Sequence, residues 1–314
     1  MNLTLDIVFI IAGFALLIFG GDVLVRVAVQ FAVRYKIPPA TIGLTVVAAG
    51  TSLPELVTSI VAALQGNADI AVGNVVGSNS FNIMAGIGLA CLIRPNRVQK
   101  SALKIEWPFL MLITIGLYLV STDLLIGRID GSLMLFVLVA FFWYAVKNAK
   151  KIGLEVEDED IPAEVKDSVA KDLGLLVLGL IALIGGAELT LTGAINLGKY
   201  FGLSDRVIGL TIVSAGTGLP ELATSAMAAY RGRDDIAIAN VLGSNIMNIL
   251  AILGVTSLIT PLQVNSDIVN YDMIVCMIVT FILLPMMLKK VRSIMRWEGM
   301  ILLGMYIAYV ASLL

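Results

Sequence analysis

The chain has 314 residues, 59% of them hydrophobic and 14% charged, with 21 Lys and Arg against 23 Asp and Glu, no His and 2 Cys. Apolar runs of about 20 residues recur along it, which excludes a soluble globular domain and marks an integral membrane protein. The near-neutral charge offers no surface for nucleic acid, Cys91 and Cys276 lie inside apolar runs and imply no disulfide framework, and without His any proton coupling must use carboxylates.

Ten apolar spans are expected, at roughly 5–33, 39–64, 69–93, 104–121, 127–147, 173–200, 205–230, 235–259, 268–288 and 296–313. The opening MNLTLDIVF lacks the basic segment of a cleaved signal peptide, so the first span stays as a transmembrane helix. The one long polar stretch, 148–172, separates two sets of five. Its acid run from Glu155 to Asp160 reads as a solvated linker rather than a regulatory Ca²⁺ site. The fold class is therefore an all-α integral membrane protein of ten transmembrane helices. Residues 1–147 form the first five-helix half, 148–172 a cytoplasmic linker and 173–314 the second half.

Orientation follows from Lys and Arg. With the N-terminus outside, the inner side receives Arg34, Lys36, Arg94, Arg97, Lys100 and Lys104. It also receives Lys147, Lys150, Lys151, Lys166, Lys171, Arg231, Arg233, Lys289, Lys290, Arg292 and Arg296. The outer side holds Arg128, Lys199 and Arg206. An error of one span would scramble this bias, so span count and orientation support each other.

One stretch occurs twice. Gly43 to Asn82 reads GLTVVAAGTSLPELVTSIVAALQGNADIAVGNVVGSNSFN; Gly209 to Asn248 reads GLTIVSAGTGLPELATSAMAAYRGRDDIAIANVLGSNIMN. At an offset of 166 residues Pro54-Glu55 matches Pro220-Glu221, Asn74 matches Asn240, and Gly77-Ser78-Asn79 matches Gly243-Ser244-Asn245. Upstream, Asp22 matches Glu188. Five spans per copy is odd, so the second copy enters the membrane in the opposite sense, the inverted repeat of secondary transporters.

Each copy sets a glutamate after a proline in mid-span. A carboxylate there costs several kcal/mol and is a functional-site hypothesis by default. Pro54 acts on Gly50 and Pro220 on Gly216, so helix should break near 48–52 and 214–218 and leave backbone carbonyls for a ligand. Thr51, Ser52 and Thr217 add hydroxyls in the same turns. Ser78 with Asn82, and Ser244 with Asn248, are spaced to share one helix face each. Pairing these faces with the breaks gives an all-oxygen pocket with two negative charges, which suits hard cations; Ca²⁺ takes about 6–8 oxygens. A single Pro kink is usually only a kink, and a single small-residue motif only helix packing. Two in register, each with a buried glutamate, are not read that way. Asp22 and Glu188 fit an ion path or water-facing structural acids, and Asp69 and Asp235 fit helix starts.

GTSLPE with GNVVGSN, and GTGLPE with ANVLGSN, resemble the two α-repeats of the sodium/calcium exchanger family, within the cation/calcium antiporter superfamily, and the short central loop resembles its compact prokaryotic members. The resemblance implies two inverted five-helix halves and alternating access by sliding of spans 1 and 6. It implies Glu55 and Glu221 as central ligands, with carbonyls of Ala48, Thr51, Ser214 and Thr217. Hydroxyls of Thr51, Ser52, Ser78, Thr217 and Ser244 would surround them, with Asn82 lining the middle. Gly218 stands where the first repeat has Ser52, and Asn248 where some relatives have aspartate. Both weaken the ligand field for Na⁺.

The expected activity is Na⁺-driven Ca²⁺ antiport, without covalent chemistry or cofactor, by a monomer in the plasma membrane. The alternative is Ca²⁺/H⁺ antiport on the same glutamates; the flanking oxygens, superfluous for protons, favour sodium. A cation channel is opposed by the inverted repeat. An intramembrane aspartyl protease fails because Phe19 breaks the glycine pattern before Asp22, and Tyr271-Asp272 falls in the wrong order.

Overall fold

A computed structural model describes residues 3–152, 168–202, 214–289 and 291–313. The chain runs α1 (Leu3–Tyr35), α2 (Pro39–Thr51), α3 (Leu53–Leu64), α4 (Ala68–Ile93), α5 (Ala102–Asp123) and α6 (Arg128–Ile152). It continues with α7 (Val169–Tyr200), α8 (Ser214–Thr217), α9 (Leu219–Tyr230), α10 (Asp234–Ile259), α11 (Ile268–Met287) and α12 (Arg296–Leu313). Seven of these are singly long and apolar enough to cross a bilayer, and α2 with α3, bent by 42°, make an eighth. The remaining two are α12, whose first turn carries Arg296 and Glu298, and α8 with α9, whose expected span begins in residues outside the described set. The order is that of the ten expected spans. The expected linker lies largely outside the described residues, and so does Arg206.

Two short ribbons establish the inversion. β1 (Asn96–Arg97) pairs antiparallel with β4 (Ser293–Ile294), and β2 (Leu125–Ile126) with β3 (Leu262–Gln263). At the repeat offset β1 and β3 are the same segment of the two copies. They nevertheless sit at opposite ends of α5, because β1 precedes that helix and β3 pairs with β2 beyond it. With 22 residues in α5, these ends are about 33 Å apart. Matching segments of the two halves thus lie on opposite faces, as an odd number of spans requires.

The long helices α1 and α7 pack along each other. Gly13 and Gly20 on α1, and Gly179, Gly186 and Gly193 on α7, recur every seven residues and so share one stripe. A Cβ added at Gly20 would stand 2.8 Å from the Gly179 carbonyl, one at Gly186 2.8 Å from that of Gly13, and one at Gly193 2.6 Å from that of Asp6. Only glycine permits this approach, the usual basis of tight helix association where lipid removes the hydrophobic drive. Both ends are pinned: Arg34 donates to Asp172 at 2.7 Å, and Asn196 to Asp6 at 2.7 Å. Outward-facing Phe136 (71% exposed) and Ile181 (62% exposed) belong to an apolar belt that only lipid would cover. The polar residues gather instead at the centre, where α4 and α10 cross between α2–α3 and α8–α9.

Candidate cation site

The break in the first copy is a single residue, Ser52 (φ −82°, ψ 6°), and in the second Gly218 (φ −82°, ψ 2°). This is milder than the stretch of unpaired carbonyls expected at 48–52 and 214–218. Pro54 and Pro220 fall in the first turn of α3 and α9, where a helix has no use for the missing amide. The Ala48 carbonyl accepts the Ser52 amide at 3.0 Å and the Thr51 hydroxyl at 3.3 Å, so it is engaged rather than bare. Gly50 and Gly216 also have a packing role: a Cβ on either would stand 2.6 Å from a leucine of α7, Leu180 or Leu191.

Both glutamates are fully buried and near enough for their charges to act on each other. Ser52 donates to Glu221 Oε1 at 3.1 Å. Thr51 and Ser244 hydroxyls lie 3.4 Å apart, both within reach of the Glu221 carboxylate. Thr217 donates to Asn74 Oδ1 at 3.4 Å, and Asn74 Nδ2 reaches the Glu55 carbonyl at 3.3 Å and Ser59 Oγ at 3.0 Å. Asn240 repeats the last contact on Ser225 at 3.0 Å. Ser214 opens α8; its side chain lies outside the described set.

Four asparagines lock α4 to α10. Asn79 Nδ2 donates to the Asn245 carbonyl at 3.3 Å, and Asn245 Nδ2 to the Asn79 carbonyl at 3.1 Å. Asn82 Nδ2 donates to Asn245 Oδ1, and Asn248 Nδ2 to Asn79 Oδ1, both at 3.1 Å. The clamp therefore engages the nitrogens of Asn82 and Asn248, one bond each, and leaves their oxygens, which can only accept. A π-turn begins at each of these asparagines, Asn82–Ile87 and Asn248–Ile252, a feature frequent at functional sites.

The buried side-chain atoms without a hydrogen-bond partner among the described residues include Glu55 Oε1 and Oε2, Glu221 Oε2, Asn82 Oδ1, Asn248 Oδ1 and Ser78 Oγ. Five of these six atoms accept and cannot donate while the acids are ionised. A buried polar group left so costs about 1–3 kcal/mol, and more if charged. Such a surplus of acceptors is relieved by a cation. The donors are hard oxygens, and among the described residues no group of three or more His, Cys, Asp or Glu side chains gathers elsewhere to bind a metal.

Residues 5–147 and 171–314 match the family model described as sodium/calcium exchanger protein. The chain belongs to the sodium/calcium exchanger family. It is 40% identical to a putative antiporter, CaxA, of Alkalimonas amylolytica, over 96% of each chain. It is 30% identical to the sodium/calcium exchanger MaX1 of Methanosarcina acetivorans, over 99% of each. The structure of the sodium-calcium exchanger NCX_Mj soaked with zero Na⁺ and Ca²⁺ superposes with a TM-score of 0.85 at 33% identity, covering 99% of both chains. The protein is thus a multi-pass membrane protein of a transporter family rather than of an enzyme family.

In this member of the family the structure brings Thr51, Ser52, Glu55, Glu221 and Ser244 together and sets Asn82 and Asn248 beside them. Ser78 is buried one turn before Asn82, and Thr217 turns toward Asn74. The sequence reading gave no role to Asn79, Asn245, Asn74 or Asn240, although all four repeat at the offset. Asp69 and Asp235 stand in the first turns of α4 and α10, as expected. Asp22 is ion-paired to Arg26 and to Arg231, while Glu188 is exposed on α7.

Proposed function

We propose that the protein exchanges Na⁺ for Ca²⁺ across the membrane, carrying either load in turn on Glu55 and Glu221. Spans 1 and 6 would slide against the site that the two five-helix halves, 1–147 and 173–314, build between them; the protein would work in the plasma membrane as a monomer, with the N-terminus outside and the 148–172 linker in the cytoplasm. The surplus of buried acceptors around the glutamates carries the reading. Two ionised carboxylates in a dehydrated centre repel each other, and their attraction to a cation is strong because the local dielectric is low. One Ca²⁺ neutralises both, and so do two Na⁺. The empty site is costly to carry through the occluded state, so movement is tied to a load, which is the condition for exchange rather than leak. Three Na⁺ against two carboxylates would leave one positive charge over, and its movement would be worth about 2.3 kcal/mol per 100 mV.

Alternating access has support in an asymmetry. α1 packs on α9, whereas α7 makes no comparable contact with α3, the matching pair in the other half. With the N-terminus outside, the closed contact is on the inner side and the open one on the outer, so the molecule faces outward. Because α1 and α7 are joined by their glycine stripe and end contacts, they would slide as one body.

The test is Ca²⁺ uptake by vesicles reconstituted with the protein, under an imposed Na⁺ gradient and separately under a pH gradient without Na⁺. Uptake driven by Na⁺ is expected. Uptake that follows the pH gradient and ignores Na⁺ would assign the same glutamates to Ca²⁺/H⁺ antiport, and a flux blind to either counter-gradient would mean a channel.

A further inference from the structure

We infer that Phe81 and Gly218 together set the sodium response of this site, by filling with an aromatic ring the place where the repeat calls for a hydroxyl. The inference deepens the exchange reading above and rests on it. Ser52 and Gly218 occupy matching positions and have the same backbone conformation, φ −82° at both with ψ 6° and 2°. Glycine at 218 is therefore not required by the chain's path. Ser52 reaches across to Glu221 Oε1 at 3.1 Å. The mirrored bond, from position 218 to Glu55, has no donor, and both Glu55 oxygens stand without a partner where Glu221 leaves only one.

The space at Gly218 is occupied. A Cβ there would meet Phe81 Cδ1 at 2.6 Å and Cε1 at 2.7 Å, with Asn82 Oδ1 3.7 Å away. Phe81 cannot easily withdraw: it is 5% exposed and packs edge-on against Tyr306, ring centroids 5.2 Å apart. Its counterpart in the second copy is Met247, a flexible side chain that can accommodate a neighbour. The ring and the glycine are thus one device. They make the Glu55 side of the pocket a carboxylate beside an apolar wall, and the Glu221 side a carboxylate within a hydroxyl cage.

One Ca²⁺ is shared by both carboxylates, whereas two Na⁺ need separate seats, one beside each glutamate, because like charges repel at short range in a low dielectric. The missing hydroxyl belongs to the seat beside Glu55, which only the sodium load uses by itself. The wall therefore weakens a Na⁺ seat next to Glu55 while sparing Ca²⁺.

Four variants read this out in reconstituted vesicles, by the half-saturating Na⁺ for Ca²⁺ efflux, with Ca²⁺/Ca²⁺ exchange as the measure of an intact site. Phe81→Met/Gly218→Ser, which copies the Met247/Ser52 arrangement, is expected to lower half-saturating Na⁺ about fivefold relative to Phe81→Met/Gly218→Ala, the worth of roughly one net hydrogen bond. Half-saturating Ca²⁺ should move less than twofold. Gly218→Ser alone should lose both activities, and adding Phe81→Met should restore them. Should the double variants fail to fold, Ser52→Gly makes the opposite change on an already permissive backbone and should raise half-saturating Na⁺ about fivefold. Equal sodium curves for the Ser and Ala pairs, or an unmoved curve for Ser52→Gly, would overturn the inference. A wild-type protein with Ca²⁺/Ca²⁺ exchange but no response to Na⁺ would instead overturn the exchange reading.

Discussion

Between α4 and α10 each bond has a twin in the other copy. The Asn79 and Asn245 amides cross over to each other's carbonyls, and on the flanks the α4–α3 bond Asn74–Ser59 matches the α10–α9 bond Asn240–Ser225 at 3.0 Å. The glycine contacts between α1 and α7 are twinned as well, Gly13 on Gly186 and Gly20 on Gly179, but where α1 and α7 meet α9 and α3 the twins are missing. α1 lies on α9, where Arg231 donates to Asp22 at 2.7 Å. Glu188, the counterpart of Asp22, is exposed, and the counterpart of Arg231 is Gln65, also exposed. The two regions come from the same duplicated sequence, so under the proposed alternating access the difference separates what would stay fixed from what would move. A clamp of neutral hydrogen bonds with both halves equivalent gives no preference for either side. A peripheral pair seated on one half but not the other is, on that proposal, in one of two seats.

The largest effect expected from breaking the symmetric centre is loss of transport. Glu55→Gln and Glu221→Gln should each lower Ca²⁺ exchange at least about a hundredfold, because each leaves a bound Ca²⁺ with one uncompensated charge in a dry site. The purified variants should melt at or above the wild-type temperature in the absence of Ca²⁺, since a costly buried charge is gone. Near-normal exchange in either variant would remove the proposed site.

Gly186→Leu attacks the moving pair. Its Cβ would press on the Gly13 carbonyl at 2.8 Å, and overpacking against backbone costs about 3 kcal/mol or more. Gly185 lies one residue away with nothing within 4 Å of its Cβ position, so Gly185→Leu should shift stability by no more than about 0.5 kcal/mol. Thermal melting in detergent compares the two. Equal effects would mean that the α1–α7 contact is not as close as it stands.

Asn79→Ala strips partners from Asn245 and Asn248 together and should cost about 1–3 kcal/mol. Asn245→Ala should cost the same within error, because its bonds are the mirror of those it replaces. Unequal losses would show that the centre is less symmetric than its bonds.

Much of this was legible in the chain: the glutamates after proline, the unbroken offset and the odd span count led directly to an inverted, acid-bearing centre. What escaped depends on contacts between segments distant in sequence. Asn79 reads as one more polar residue in a small-residue helix until its partner from the other half is placed against it. Phe81 carries no signal of its role, since nothing local says that Gly218 opens a seat for its ring. The π-turns at Asn82 and Asn248 have no sequence signature; each is one extra residue per turn, accepted where packing demands it. Gly50, four residues before Pro54, has the local signature of a helix break, but its closest constraint is Leu180 on a helix more than a hundred residues away.

The smallest effect tests the asymmetry most directly. Arg231→Gln gives the second half the residue that the first half has at Gln65, and removes the Asp22 contact while leaving Arg26 on Asp22. A partly exposed ion pair is worth at most about 1 kcal/mol, so the balance between the two facing states should move no more than about fivefold. Its direction is what matters. Losing a contact made only in the outward-facing state must favour the inward-facing one, because a bond can bias an equilibrium only through the state that contains it. In oriented vesicles the half-saturating Ca²⁺ should then rise on the outer side and fall on the inner side. Gln65→Arg would offer Glu188 the partner it lacks, in the state where α7 comes down on α3, and should move both values the same way as Arg231→Gln. If both variants left the two sides unchanged, the α1–α9 contact would be a fixed joint, and the sliding pair would have to be sought elsewhere in the fold.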